Sequence, residues 1–243
     1  MAPPIACVFA HGWAFMPTIW QQTWAMLKKE AIDCWVYHGG NYFGTDSDTF
    51  KGMMSGVWHK QEQTQGRCLI GIGHSFGLCR LLQEDTAIWD GLVSVSGVLC
   101  LVKKPDNRHG VDGCRLRAMA DSLDSQPERM LRVFYARCGV SYEPAWEQMN
   151  VKVLKDDLAT LSTVDCRQRW RACLASGVPL LACASVDDAI VPLSLAQAHF
   201  DGAGVDFRCW QKGGHVLPLV DVEGFVDGVL EFVRRVQGKR EEP

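Results

Sequence analysis

Short runs of consecutive apolar residues alternate along this chain with stretches whose apolar positions recur every three to four residues. Ile5–Ala10 reads as a strand buried on both faces. Residues 17–28 read as a helix with Ile19, Trp20, Trp24 and Leu27 on one side. Further strands are expected at 34–37, 68–72, 92–98, 179–184 and Val205–Trp210. A helix opens near Phe76, and a last helix carries Phe225, Val229, Phe232 and Val236 at helical spacing. Strands that are apolar throughout, separated by helices, imply an α/β protein with a mostly parallel sheet flanked by helices.

The alternation breaks between 103 and 165, where the pattern is helical and no strand is evident. The expected organisation is a core made of 1–102 and 166–243, with 103–165 inserted as an all-helical lid. Such a lid would sit over the carboxyl edge of the sheet, where open α/β sheets bind ligands. Residues 103–137 hold eight basic and five acidic side chains, an excess of +3, whereas the rest of the chain carries -6. That excess is either a solvated helical surface or a patch for a partner.

Other features narrow the class. Of 243 residues 47% are apolar and 22% charged, and the net charge is -3. This is a globular composition with no general attraction to nucleic acid or anionic membrane. The longest nearly apolar run, 91–102, is too short to span a bilayer. The first five residues show neither the basic nor the apolar region of a secretory signal. Eleven cysteines, an odd number with no CxxC pair, fit buried reduced thiols better than disulfides or zinc. A reducing, cytoplasmic location is the expectation.

Gly73-His74-Ser75-Phe76-Gly77 fits Gly-x-Ser-x-Gly, after an apolar strand and before a helix. In that context the turn strains the serine backbone, lifts its Oγ off the sheet and leaves room only for glycine beside it. The bland alternative is a purely structural turn. A serine nucleophile needs a histidine base and an orienting carboxylate, in the chain order Ser, acid, His. His215, in Gly213-Gly214-His215 past the sixth expected strand, suits the base. His199 lies within a predicted helix and reads as a packed or surface histidine. Asp187 and Asp188 both follow the fifth expected strand, and Asp188, four residues before Pro192, is the better acid. Asp187 is then a solvated neighbour or a cap. The backbone N–H groups of Phe76 and Trp13 are candidates for an oxyanion hole, with Trp13 in the loop Ala10-His11-Gly12-Trp13.

These residues, in this order, resemble the α/β-hydrolases along nearly the whole chain. Within them the chain is most similar to the esterases of biotin synthesis that act on the methyl ester of pimeloyl-acyl-carrier protein. The resemblance rests on His11-Gly12-Trp13, the serine turn, Leu154, Leu158, Leu161 and Thr163-Val164-Asp165-Cys166-Arg167. It implies the fold named for those hydrolases and an ester hydrolysis needing no metal or organic cofactor. Leu116, Leu123, Arg129 and Phe134 match the helical insertion; there the resemblance implies an acyl channel at Phe134 and a carrier-protein surface at Arg129. The chain departs from that family at Leu78 and His74, and at Val133, Trp146 and Asn150, which stand where arginines are expected. Arg132 and Arg137 are nearby substitutes.

The expected activity is therefore removal of methanol from a pimeloyl-carrier ester, with acyl-carrier protein as partner. A broad short-chain carboxylesterase or thioesterase acting on small esters is the alternative within enzymes. A dehalogenase is disfavoured because serine, not aspartate, holds the nucleophile position. A non-catalytic hydrolase-fold binding protein is the alternative from another class.

Overall fold

The computed structural model describes residues 4–37, 39–44, 56–58 and 66–241. Seven strands make one sheet: β1 (Ile5–Ala10), β2 (Asp33–Tyr37), β3 (Gly56–Trp58), β4 (Cys68–His74), β5 (Gly91–Val95), β6 (Leu180–Ser185) and β7 (Val205–Trp210). Their order is β3-β2-β1-β4-β5-β6-β7, and every neighbouring pair is parallel. Each position of β1, β4, β5 and β6 is buried. With both faces covered, none of these strands can afford a polar side, which is why their sequences do not alternate.

The structure adds one strand, β3, to those expected and amends two of the expected elements. β3 has only three residues, too few to show a period. β5 stops at Val95 instead of continuing to 98. There Ser96 turns the chain with φ +45°, and its N–H donates to the Cys183 carbonyl at 2.8 Å. The helix expected at 17–28 divides into a 3₁₀ turn at Pro17–Trp20 and α1 (Gln21–Lys29).

The remaining helices are α2 (Phe76–Gln83), α3 (Gly113–Ser125), α4 (Pro127–Arg137), α5 (Val151–Thr163), α6 (Arg167–Ala175), α7 (Leu193–Phe200), α8 (Leu217–Val220) and α9 (Val222–Glu241). α1 packs on α9 and α2 on α6. Phe225, Val229, Phe232 and Val236 are buried, as their spacing requires. No helix among the described residues is long and apolar enough to cross a membrane.

Between β5 and β6 the described chain forms α3 to α6 and no strand. The helix starts are encoded locally. Asp112 accepts from the Cys114 N–H at 2.9 Å, Asn150 accepts from Val153 N–H at 3.1 Å, and Pro127 opens α4. α3 packs against α4 and α5, and Lys155 pairs with Asp124 at 2.6 Å across α5 and α3.

The strand order creates the site. The chain runs outward from β1 to β3, then returns to lay β4 beside β1, with Ala10 opposite Gly73. A reversal of strand order leaves a crevice at the carboxyl ends, because the connections on either side leave in opposite directions. The segments following β1, β4, β6 and β7 carry Trp13, Ser75, Asp188 and His215.

Candidate active site

Ser75 joins β4 to α2 with φ +51° and ψ -119°. A non-glycine residue there is strained by about 1–3 kcal/mol and persists only where its surroundings hold it. Its N–H is held by the Val95 carbonyl at 2.9 Å. The flanking glycines are steric necessities. A Cβ on Gly73 would come within 2.5 Å of Leu78 Cα, and one on Gly77 would enter the Ala10 carbonyl. A Cβ on Gly12 would stand 2.8 Å from His74 Nδ1 and 2.9 Å from Ser75 Cβ. The first loop, the turn and the helix therefore meet backbone to backbone.

His215 is 1% exposed and its Nδ1 lies 2.9 Å from Asp188 Oδ2. The carboxylate can only accept, so Nδ1 carries the proton of this bond, and Nε2 is the ring nitrogen left unbonded among the described residues. Asp188 is fixed in turn: its Oδ1 accepts from the N–H groups of Ile190 and Val191 at 2.8 and 2.9 Å. Asp187 points elsewhere. Its Oδ1 accepts from Gly213 and Gly214 N–H at 3.0 and 2.9 Å, tying down the loop that carries His215. Desolvation works against the Asp187 charge, but these two N–H groups, together with its own backbone N–H and the Lys212 charge, outweigh it and hold the carboxyl below its usual range. The His215 N–H donates to the Cys138 carbonyl at 3.0 Å, just past α4. Gly214, at φ +54°, permits this approach, since its Cβ would meet that carbonyl at 2.7 Å.

Gly12 N–H is occupied by His74 Nδ1 at 3.2 Å. No hydrogen bond among the described residues occupies the N–H of Trp13 or of Phe76. Those two donors, one in the loop after β1 and one at the start of α2, are left without an acceptor among the described residues. The Trp13 ring is anchored by its Nε1–H, which donates to the Leu154 carbonyl at 2.8 Å, and by an edge-to-face contact with Phe134 at 5.0 Å. Tyr135 Oη donates to the Ala14 carbonyl at 2.6 Å. The helices after β5 are thus bonded to the loop after β1.

Ser75, His215, Trp13 and Phe134 share the wall of a cavity of about 390 Å3. Leu116, Met130, Leu158 and Leu161 make it apolar, and Arg115, Arg129 and Arg137 also line it. None of these three has a carboxylate within ion-pair distance among the described residues; Arg129 meets Gln126 and Arg137 the Ala189 carbonyl. Arg132 differs. It pairs with Glu128 and Glu143, lies over the Trp146 ring at 4.7 Å, and is outside the cavity wall.

Two features escape a reading of the sequence. His74, inside the serine turn, has both ring nitrogens bonded to backbone and is fully buried; its place in the motif was the available signal. Arg80 on α2 donates to Asp157 Oδ2 at 2.6 Å and to Tyr42 Oη at 2.9 Å, and covers the Phe76 ring at 4.8 Å. Its partners lie 38 and 77 positions away, beyond any local pattern. His199, on α7, has its Nε2 3.1 Å from Asn107 Oδ1 and does not line the cavity.

No protein-family model and no curated protein sequence matches the chain. Solved structures do. An esterase from Exiguobacterium antarcticum superposes with a TM-score of 0.74 at 15% identity, covering 96% of this chain and 93% of that one. A carboxylesterase structure from Nitrososphaera gargenis gives 0.68 at 15%, covering 97% and 92%. MenH from S. aureus gives 0.67 at 14%, covering 98% and 96%. The architecture is the α/β-hydrolase fold.

Proposed function

We infer that this chain is a serine carboxylesterase. The observation that carries the reading is the line from Asp188 through His215 to a cavity whose wall also holds the strained Ser75. Ser75 Oγ attacks the ester carbonyl while His215 Nε2 takes its proton. The N–H groups of Phe76 and Trp13 receive the oxyanion, and Nε2 returns the proton to the departing alkoxide. Water repeats the sequence on the acyl-enzyme, releasing the acid and restoring the serine. The esterases among the similar structures support this class of reaction.

The finer reading is the methyl ester of pimeloyl-acyl-carrier protein, with the helices of 103–165 as a lid. The apolar cavity under α3, α4 and α5 suits a methylene chain, and Arg115, Arg129 and Arg137 suit an anionic carrier or its prosthetic phosphate. Engagement of Arg132 by two glutamates favours, against this, the broad esterase acting on small neutral esters. A fluorophosphonate probe tests the class: it should label the wild type and not Ser75→Ala, and an unlabelled wild type refutes the esterase. Rescue of a biotin auxotroph that lacks its methyl esterase tests the substrate. Failure to rescue, with labelling intact, leaves the broad esterase.

A further inference from the structure

His74 stands next to the nucleophile yet does not line the cavity; its ring is fully buried. Its Nε2 lies 2.9 Å from the His215 carbonyl, which can only accept, so Nε2 carries the proton. Nδ1 is then unprotonated and accepts the Gly12 N–H at 3.2 Å. Only the neutral Nε2–H tautomer satisfies both bonds. Burial, and after it the neighbouring His215, hold the ring neutral by pushing its pKa well down. Phe15 at 5.5 Å and Trp20 at 6.3 Å pack edgewise on the ring, and the His215 ring lies 5.0 Å away.

Three chain segments separated by about 60 and 140 positions thus meet on one imidazole: the loop bearing the Trp13 donor, the serine turn and the loop bearing the base. Gly12 belongs to the same joint, since any Cβ there would strike His74 Nδ1. We propose that His74 is a positioning residue, setting the oxyanion donor at Trp13 and the base His215 at fixed distances from Ser75 through its two backbone hydrogen bonds. It touches no substrate. The proposal rests on the esterase reading for its kinetic consequence, but the geometry it asserts exists without turnover.

The test uses three replacements that separate the two bonds. His74→Phe keeps the ring volume and removes both. The Asn side-chain amide can place an acceptor where Nδ1 lies, and the Gln amide a donor where Nε2 lies, so each restores one bond. With a p-nitrophenyl ester, His74→Phe should lower kcat by about 10²-fold, the cost of a misplacement near 1 Å. KM should change little, because the cavity is untouched. His74→Asn and His74→Gln should each regain part of the loss. A kcat within twofold of wild type for a folded His74→Phe overturns the proposal, as does a loss that neither amide relieves. Should the phenylalanine variant fail to fold, the two amide variants carry the kinetic comparison: wild-type kcat in both overturns the proposal.

NMR gives a reading that needs no ester hydrolysis. The downfield Nδ1 proton of His215 should be seen in the wild type and exchange faster in His74→Phe and His74→Asn than in His74→Gln. Equal exchange in all four proteins overturns the proposal. An esterase reading that fails, by contrast, shows as a wild type that neither labels nor turns over while this proton still responds to residue 74.

Discussion

Asp188 and His215, 27 positions apart, share a buried hydrogen bond of 2.9 Å, while the adjacent Asp187 turns to the N–H groups of Gly213 and Gly214. Neighbouring carboxylates thus hold the same loop in two ways, one through the imidazole and one through the backbone. Asp188→Asn should lower kcat for a p-nitrophenyl ester by up to about 10⁴-fold, because an amide that donates to Nδ1 favours the wrong tautomer. Asp187→Asn keeps an acceptor for the two N–H groups and should stay within about tenfold, or ~1.4 kcal/mol. Greater damage from Asp187→Asn would transfer the orienting role to that residue.

Gly12→Ala should behave as a site mutation rather than a loop mutation. Its methyl would meet His74 Nδ1 and Ser75 Cβ, so both must shift. A loss of kcat of about 10²-fold is expected from displacement on this scale. Steady-state kinetics beside a thermal melt would check it, and unchanged kcat would mean that the first loop moves aside without cost.

Arg80 and Asp157 form a largely buried pair with Tyr42 completing it. Asp157→Asn leaves the guanidinium without its charge partner and should destabilise the fold by about 1.5–3 kcal/mol, measured by urea unfolding. The double change Asp157→Asn with Arg80→Met should recover part of that loss, since an apolar pair removes the stranded charge.

Acid should destabilise the protein through its buried histidines. Burial, reinforced by Arg80, lowers His11 to about 3, and burial with Arg167 lowers His199 to about 4; His74 is lowered too. Each binds its proton more readily once unfolded, so the unfolded state holds more protons and stability rises with pH. The contribution is complete above the unfolded value of about 6.5 and is lost as pH falls below it toward 4. Urea unfolding at pH 7 and pH 5 should show lower stability at pH 5. Equal stability would mean these rings are not buried in solution.

The helical segment separates one arginine from another. Arg129→Glu should raise KM for an anionic or carrier-bound ester and leave a small neutral ester nearly unchanged, whereas Arg132→Glu should act mainly by breaking its links to Glu128 and Glu143. These pairs are solvent-exposed and individually weak, so Arg132→Glu should alter the melt slightly and the kinetics less. Equal loss on both esters from Arg129→Glu would make that arginine structural.

Whatever depends on residues close in the chain was legible in the sequence. The apolar runs of β1 and β4, the one-sided spacing of α9 and the glycine at 73 follow from burial on both faces, from the helical period and from local steric clash. Gly77, by contrast, answers to the Ala10 carbonyl at the end of β1. The choice between Asp187 and Asp188 was legible only as a preference. It is decided by two loops folding against each other, with one carboxylate reaching an imidazole and the other two backbone N–H groups. The short strand Gly56–Trp58 carries too few residues for a period, and it exists because β2 offers it an edge. His74 and Arg80 look like ordinary members of a turn and a helix. What they do was decided by tertiary structure alone, because their partners Gly12, His215, Tyr42 and Asp157 come within bonding distance only after the sheet has closed the space between them.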